Sequence, residues 1–101
     1  MILAMVEFPV DGASADEIDA IFEKSADRYR SVEGLIRKYY IRSTDNTMGG
    51  GMYLFTDQQS ADKLYDDEWH RSFVERYGRQ PQIKFFHCPI VVDNKIGEIV
   101  K

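Results

Sequence analysis

Residues 49–55, GGGMYLF, and 83–92, IKFFHCPIVV, read as strands that carry apolar side chains on both faces. A strand with one wet face alternates apolar and polar residues at a period of two. Here Tyr53 and Phe55 alternate with Met52 and Leu54, and Ile83 and Phe85 alternate with Phe86, Cys88 and Ile90. The opening run ILAMVEF repeats the pattern, with Ile2, Ala4, Val6 and Phe8 on one side and Leu3 and Met5 on the other. Helices can cover one side of such a sheet and leave the second bare. At about 25 cal/mol per Å² of apolar area, wetting that side forfeits several kcal/mol. A second copy of the chain or an apolar ligand must cover it, and a two-fold partner does so by symmetry.

The remaining elements follow in order. Ile2–Phe8 is a first strand, stopped by Pro9 and an Asp11-Gly12 turn. Ser14 and Glu17 form a capping-box signature, and Ile18, Ile21, Phe22, Ser25 and Tyr29 then fall on one helical stripe. Gly34 ends that helix. Leu35–Arg42 is a second strand, joined to the third at Gly49–Phe55 by the polar turn 43–48. Thr56 and Gln59 repeat the capping spacing and open a helix through Tyr65. Asp66-Asp67 interrupts it, and a further helical piece carries Trp69, Phe73, Val74 and Tyr77 as far as Gly78. Gln82–Val92 is the fourth strand. The order β-α-β-β-α-β with right-handed crossovers gives a ferredoxin-like α+β sandwich with a four-stranded antiparallel sheet. Residues 1–93 make the domain and 94–101 a tail that reaches for the partner subunit.

Bulk properties exclude several classes. A chain of 101 residues with 44% apolar residues fits one folded domain. Its net charge of -4, with both signs mixed along the chain, lacks the basic footprint of a nucleic-acid binder. No apolar run approaches the ~20 residues that span a bilayer, and MILAMVEF reads as a strand rather than a signal peptide. The single cysteine, Cys88, fits a reducing cytosol and a small buried hydrophobe. His70, His87 and Cys88 show no metal-ligand spacing. Gly49-Gly50-Gly51 lacks the Lys-Ser/Thr of a phosphate-binding loop and opens a strand, so it marks a bulge or a close approach.

The segment from Gly49 to Gly78 resembles the dimeric α+β barrel superfamily, and within it the YdhR-like monooxygenases, relatives of the antibiotic-biosynthesis monooxygenases. The likeness is carried by Gly34-Leu35, Lys38-Tyr39-Tyr40, Gly50–Phe55, Ser60-Ala61, Glu68-Trp69, Tyr77-Gly78 and Pro89–Asp93. It implies two facing sheets in a homodimer, helices outside, a pocket in each subunit, and oxidation of a planar phenol or anthrone without metal or flavin. In that chemistry the deprotonated substrate itself reduces oxygen, and the protein binds the aromatic, removes a proton and steadies an anion. Glu7 stands where the haem-degrading branch would have an asparagine, which disfavours haem degradation.

The candidate site residues follow. His87, on a strand beside Phe85 and Ile83, is the first candidate base, since burial would keep its ring neutral; Glu7 is the second. Either is also accounted for structurally, His87 as a hydrogen-bonded core histidine and Glu7 as a wet margin residue. Tyr39 and Arg37 could hold an enolate. Lys38 shares a face with Tyr40 and reads as a rim residue whose stem covers apolar surface while its charge reaches water. Trp69, Phe73, Tyr53, Phe86 and Phe22 would line the cavity, with Trp69 equally a core anchor, and His70 reads as a surface histidine. A cofactor-independent oxygenase is the leading expectation. The alternatives are a non-catalytic dimeric module for hydrophobic small molecules and an isomerase or cyclase in the same pocket.

Overall fold

A computed structural model of the chain describes residues 1–10 and 12–101. The Asp11 half of the first turn expected from sequence lies outside the described residues. Four strands, β1 (Ile2–Pro9), β2 (Leu35–Arg42), β3 (Met48–Phe55) and β4 (Gln82–His87), form one antiparallel sheet in the order β2-β3-β1-β4. Helices α1 (Ala15–Ala26), α2 (Gln58–Leu64) and α3 (Asp67–Tyr77) complete the β-α-β-β-α-β order of a ferredoxin-like sandwich.

Local chemistry explains the helix limits. Ser14 and Glu17 make both bonds of the capping box, Glu17 N–H to Ser14 Oγ at 3.2 Å and Ser14 N–H to Glu17 Oε1 at 3.4 Å. The helix then tightens at Asp27–Tyr29 into a 3₁₀ turn. Gly34 therefore does not terminate it; with φ of +80° it leads into β2. The second helix is capped by Asp57, whose carboxylate accepts from Ser60 N–H at 2.8 Å, not by Thr56. Asp66 caps α3 in the same way, accepting from Trp69 N–H at 2.8 Å, and Gly78 ends it in the left-handed region.

The sheet's two faces separate cleanly in the register. Ile2, Ala4, Val6 and Phe8 point under the helices and are buried, together with Tyr53 and Phe55 of β3. Phe55 and Val6 are the largest fully covered side chains. Leu3, Met5 and Glu7 point outward, opposite Leu54, Met52 and Gly50. Tyr39 and Phe86 belong to this outer face and are 51% and 47% exposed. In this single chain the outer face is thus partly bare and largely apolar. Gly50 sits where the two backbones come closest: a Cβ there would collide with the Val6 carbonyl of β1.

Strand four is shorter than its sequence suggests. It stops at His87, where Cys88 N–H still bonds Met1 O at 2.9 Å, and Pro89 then breaks the ladder. The chain continues into β5 (Val91–Asp93), which pairs with β6 (Glu98–Val100) in a separate two-stranded sheet. Residues 94–101 are therefore half of a hairpin. Asp93 anchors it to the outer face through an ion pair with Arg37 of β2 at 2.9 Å.

Candidate functional site

One irregularity in β2 decides which residues face the helices. Leu35 pairs with Phe55, yet Arg37 pairs with the next residue, Leu54, so Ile36 is an extra residue bulged out of register and 46% exposed. Alternation counted from Leu35 would send Lys38 outward. The bulge shifts the count by one, so Lys38 and Tyr40 turn inward and Arg37 and Tyr39 turn outward.

Inside, Lys38 ends in an aromatic box. Its Nζ lies 3.4 Å from the ring centroid of Tyr29, 3.8 Å from that of Tyr40 and 4.6 Å from that of Tyr53. Gly51 makes room for it, because a Cβ there would stand 3.3 Å from Lys38 Cε and 3.0 Å from the Tyr53 ring. The rings in turn are fixed. Trp69 Nε1–H donates to Tyr29 Oη at 3.1 Å. Ser25, which donates its own proton to the Phe22 carbonyl, lies 2.7 Å from Tyr40 Oη and can accept from it. Phe22 packs on Tyr40 at a 35° tilt with 5.0 Å between centroids, and Phe73 packs against Phe8, Trp69 and Tyr77.

The electrostatics single out the amine. Burial, and behind it the Arg28 charge, lower the Lys38 pKa from its usual value to about 6. The three ring faces favour the cation, so both protonation states are within reach near neutrality. The tyrosines go the other way: burial raises Tyr40 and Tyr53 and pushes Tyr77 up to about 12. Those hydroxyls are donors at physiological pH. Lys38 is the group in the chamber brought towards neutral pH, and an amine in that state can take a proton and hold the resulting anion as an ammonium.

The chamber itself is narrow. About 10 Å³ is lined by residues that include Val6, Phe22, Lys38, Tyr40, Tyr53 and Phe73, which is at the limit for one water. Two larger clefts adjoin it. One of about 190 Å³ shares Phe8, Arg76 and Tyr77 with the chamber, and one of about 230 Å³ shares Ser25 and Arg76. Arg76 stands at all three.

The residues expected from sequence divide between the faces. Phe22, Tyr53 and Phe73 line the chamber, and Trp69 supports it from behind Tyr29. Tyr39, Arg37, Glu7 and Phe86 lie on the outer face. His87 does share the helix-side parity of Phe85, but it sits at the exposed end of an edge strand rather than buried. Within one chain it cannot work together with Tyr39 or Arg37, because the sheet stands between them. Cys88 is half-buried with Sγ 3.9 Å from Ile90 O, not a core residue, and His70 is half-buried with Nδ1 3.0 Å from Gln80 Oε1. Lys38 is not the rim residue its sequence context suggests; it is the centre of the chamber. Sequence reasoning gives no site role to its neighbours Tyr29 and Arg28 either. The shared parity of Lys38 and Tyr40 is the available signal; the bulge that turns both inward has no mark in the sequence. Among the described residues no group of three or more His, Cys, Asp or Glu side chains could hold a metal ion, and no helix is long and apolar enough to cross a membrane.

Comparison with known proteins bears on this geometry. The family model described as "Putative mono-oxygenase ydhR" matches residues 3–87. No curated protein sequence matches the chain. Among solved structures, a mutant form of SnoaB from Streptomyces nogalater, a cofactor-independent oxygenase, is 16% identical with a TM-score of 0.66, over 87% of this chain and 92% of that one. The ActVA-Orf6 monooxygenase of Streptomyces coelicolor, in complex with nanaomycin D, is 23% identical with a TM-score of 0.65, over 86% of each chain. A "putative antibiotic biosynthesis monooxygenase" from Deinococcus radiodurans is 9% identical with a TM-score of 0.67, over 92% of this chain and 97% of that one. At these identities the three likenesses establish the fold.

Proposed function

The chain belongs to the YdhR mono-oxygenase family, and from that membership we propose that it oxidises a planar aromatic or phenolic small molecule without a cofactor, using Lys38 as the base. The observation that carries this reading is the Lys38 amine held among three tyrosine rings, with its pKa lowered to about 6. A largely neutral amine removes the acidic proton of a phenol or anthrone. The enolate passes an electron to dioxygen, the radical pair combines to a C–O bond, and the Lys38 ammonium returns the proton as the peroxide breaks down. For an anthrone the balance is anthrone plus O₂ to anthraquinone plus water. SnoaB, a cofactor-independent oxygenase of the same fold, supports the cofactor-free form of the reaction. Aromatic substrates are supported by the ring-lined walls. A tricyclic ring does not fit a chamber of about 10 Å³, so Arg76 and Tyr77 must swing aside and join it to the adjoining clefts.

We assign the bare outer face to a second copy of the chain. Leu3, Met5, Tyr39, Met52 and Phe86 lie on it, and covering each half-exposed side chain contributes about 1 kcal/mol. The hairpin of β5 and β6 extends the same surface, with Val92 and Ile99 65% and 64% exposed. An isolated two-stranded hairpin is marginal in water, so it too belongs against the partner. Outer-face Tyr39, Arg37, Glu7 and Phe86 then serve assembly. The lone cysteine accords with a cytosolic protein.

Oxygen uptake with an anthrone tests the catalytic reading. The wild-type chain is expected to consume oxygen stoichiometrically, and Lys38→Met to lose at least ~100-fold in rate, the usual size of a general-base contribution. Unchanged turnover in that variant would remove Lys38 from the mechanism. A second reading, a dimeric module that binds hydrophobic molecules without turnover, is favoured by the small volume beside Lys38; aromatic binding with no oxygen uptake would select it.

A further inference from the structure

The cleft of about 230 Å³ beside the chamber is lined by Ile21, Lys24, Ser25, Arg28 and Arg76. Three of these five carry positive charge and none is a carboxylate, in a chain whose net charge is -4. Lys24 and Arg28 are four residues apart at the end of α1 and in the 3₁₀ turn, and Arg76 reaches the cleft from the last turn of α3. Helix C-termini attract cations, which accounts for basic residues at these positions but not for their lining a single cleft. Three other arginines of the chain are matched: Arg30 with Asp27, Arg37 with Asp93 and Arg42 with Asp19. Among the described residues no carboxylate lies within 4.0 Å of the Arg28 or Arg76 guanidinium. Like charges gathered without counter-ions repel, and two guanidinium forks facing one space match the geometry of a carboxylate.

The cleft also communicates with the chamber. Ser25 and Arg76 belong to both, and Ser25 lies 2.7 Å from Tyr40 Oη, whose ring faces Lys38. We propose that the substrate is an aromatic carboxylate: its hydroxylated ring enters beside Lys38, and its carboxylate is held by Arg28 and Arg76 in the adjoining cleft. This substrate class rests on the oxygenase reading of the chamber. It also gives Arg76 a reason to leave the chamber wall, since binding the carboxylate draws its guanidinium into the cleft as the ring comes in.

The test compares two probes at pH 7 by ¹H–¹⁵N NMR titration of the full chain. They are 1-hydroxy-2-naphthoate and 1-naphthol, which share a ring system and differ by the carboxylate. The naphthoate is expected to bind roughly tenfold more tightly, as a charge-assisted contact implies, and to shift the Arg28 and Arg76 side-chain Nε signals. In Arg28→Gln and Arg76→Gln the ratio should fall towards one, while Arg28→Lys should retain part of it. Equal affinities in the wild type, a ratio unchanged by both Gln variants, or no naphthoate binding would overturn the anion cleft. Anthrone carries no carboxylate, so its turnover judges the oxygenase reading independently of this result.

Discussion

The indole N–H of Trp69 donates to the hydroxyl of Tyr29 at 3.1 Å, and the opposite resource of that tyrosine, its ring face, lies 3.4 Å below Lys38 Nζ. A residue on α3 thereby fixes the floor beneath an amine on β2. Trp69→Phe keeps an aromatic ring and deletes the donor. The expected loss is about 1 kcal/mol, the net value of a neutral hydrogen bond, read by urea denaturation followed by circular dichroism. No loss would mean that packing alone holds Tyr29.

Lys38 makes stability depend on pH. Facing it are Arg28 and Tyr29 from the 3₁₀ turn, Tyr40 and Tyr53 from the sheet, and Arg76 and Tyr77 of α3 around the same chamber. The folded-state pKa is about 6 against an ordinary 10.5, so between these values the unfolded chain binds the extra proton. Stability should therefore rise with pH across that window, by at most about 1.4 kcal/mol per pH unit. Below about pH 6 both states are charged and the burial cost is felt in full. Lys38→Met should remove this slope and be the more stable protein at about pH 5, below the folded-state value. Denaturation midpoints of both proteins from about pH 5 to 9 give the comparison, and parallel curves would place the amine in water.

Gly51 is required for space rather than for its turn geometry. Adding a methyl group would press on the Tyr53 ring, the Tyr39 carbonyl and Lys38 Cε together. Gly51→Ala should cost about 1–3 kcal/mol by overpacking, a drop of several degrees in Tm for a domain of this size. The double variant with Lys38→Ala should recover part of the loss, and additive losses would show that the lysine stem is not the obstacle.

Assembly is predicted to depend on the outer face. Tyr39→Glu and Phe86→Glu put charges at residues that are 51% and 47% open in the single chain. Sedimentation at micromolar concentration should find the wild type as a dimer and the double variant as a monomer with unchanged far-ultraviolet circular dichroism. A dimer that survives both substitutions must use another surface.

Much of the fold is legible in the sequence because periodicity reports burial directly. The two-sided strands, the Ser14–Glu17 cap and the Gly78 stop all lie where residue type and spacing set local geometry. Pro89 is visible too, yet the apolar pattern runs through it, because Ile90 and Val91 continue the pattern into a new element. The site is less legible. Phe22, Tyr53 and Phe73 follow from the core pattern, but Lys38 contradicts it: a charged residue on a strand is ordinarily a rim residue. His87 attracts attention as the rarer residue type, and neither composition nor spacing reveals that an edge strand leaves it uncovered. Pairing register is a tertiary property, and the chamber depends on it.

Ile36 has a consequence that reaches both sides of the protein. Drawing that one residue into the ladder opposite Leu54 would turn strand β2 over, carrying Lys38 and Tyr40 to the surface and Arg37 and Tyr39 among the rings, whereas its deletion would leave Arg37 opposite Leu54 and Lys38 opposite Tyr53. The chemistry of the interior and the contacts of the exterior are thus written on alternate letters of one word, and a single unread letter decides which side reads which.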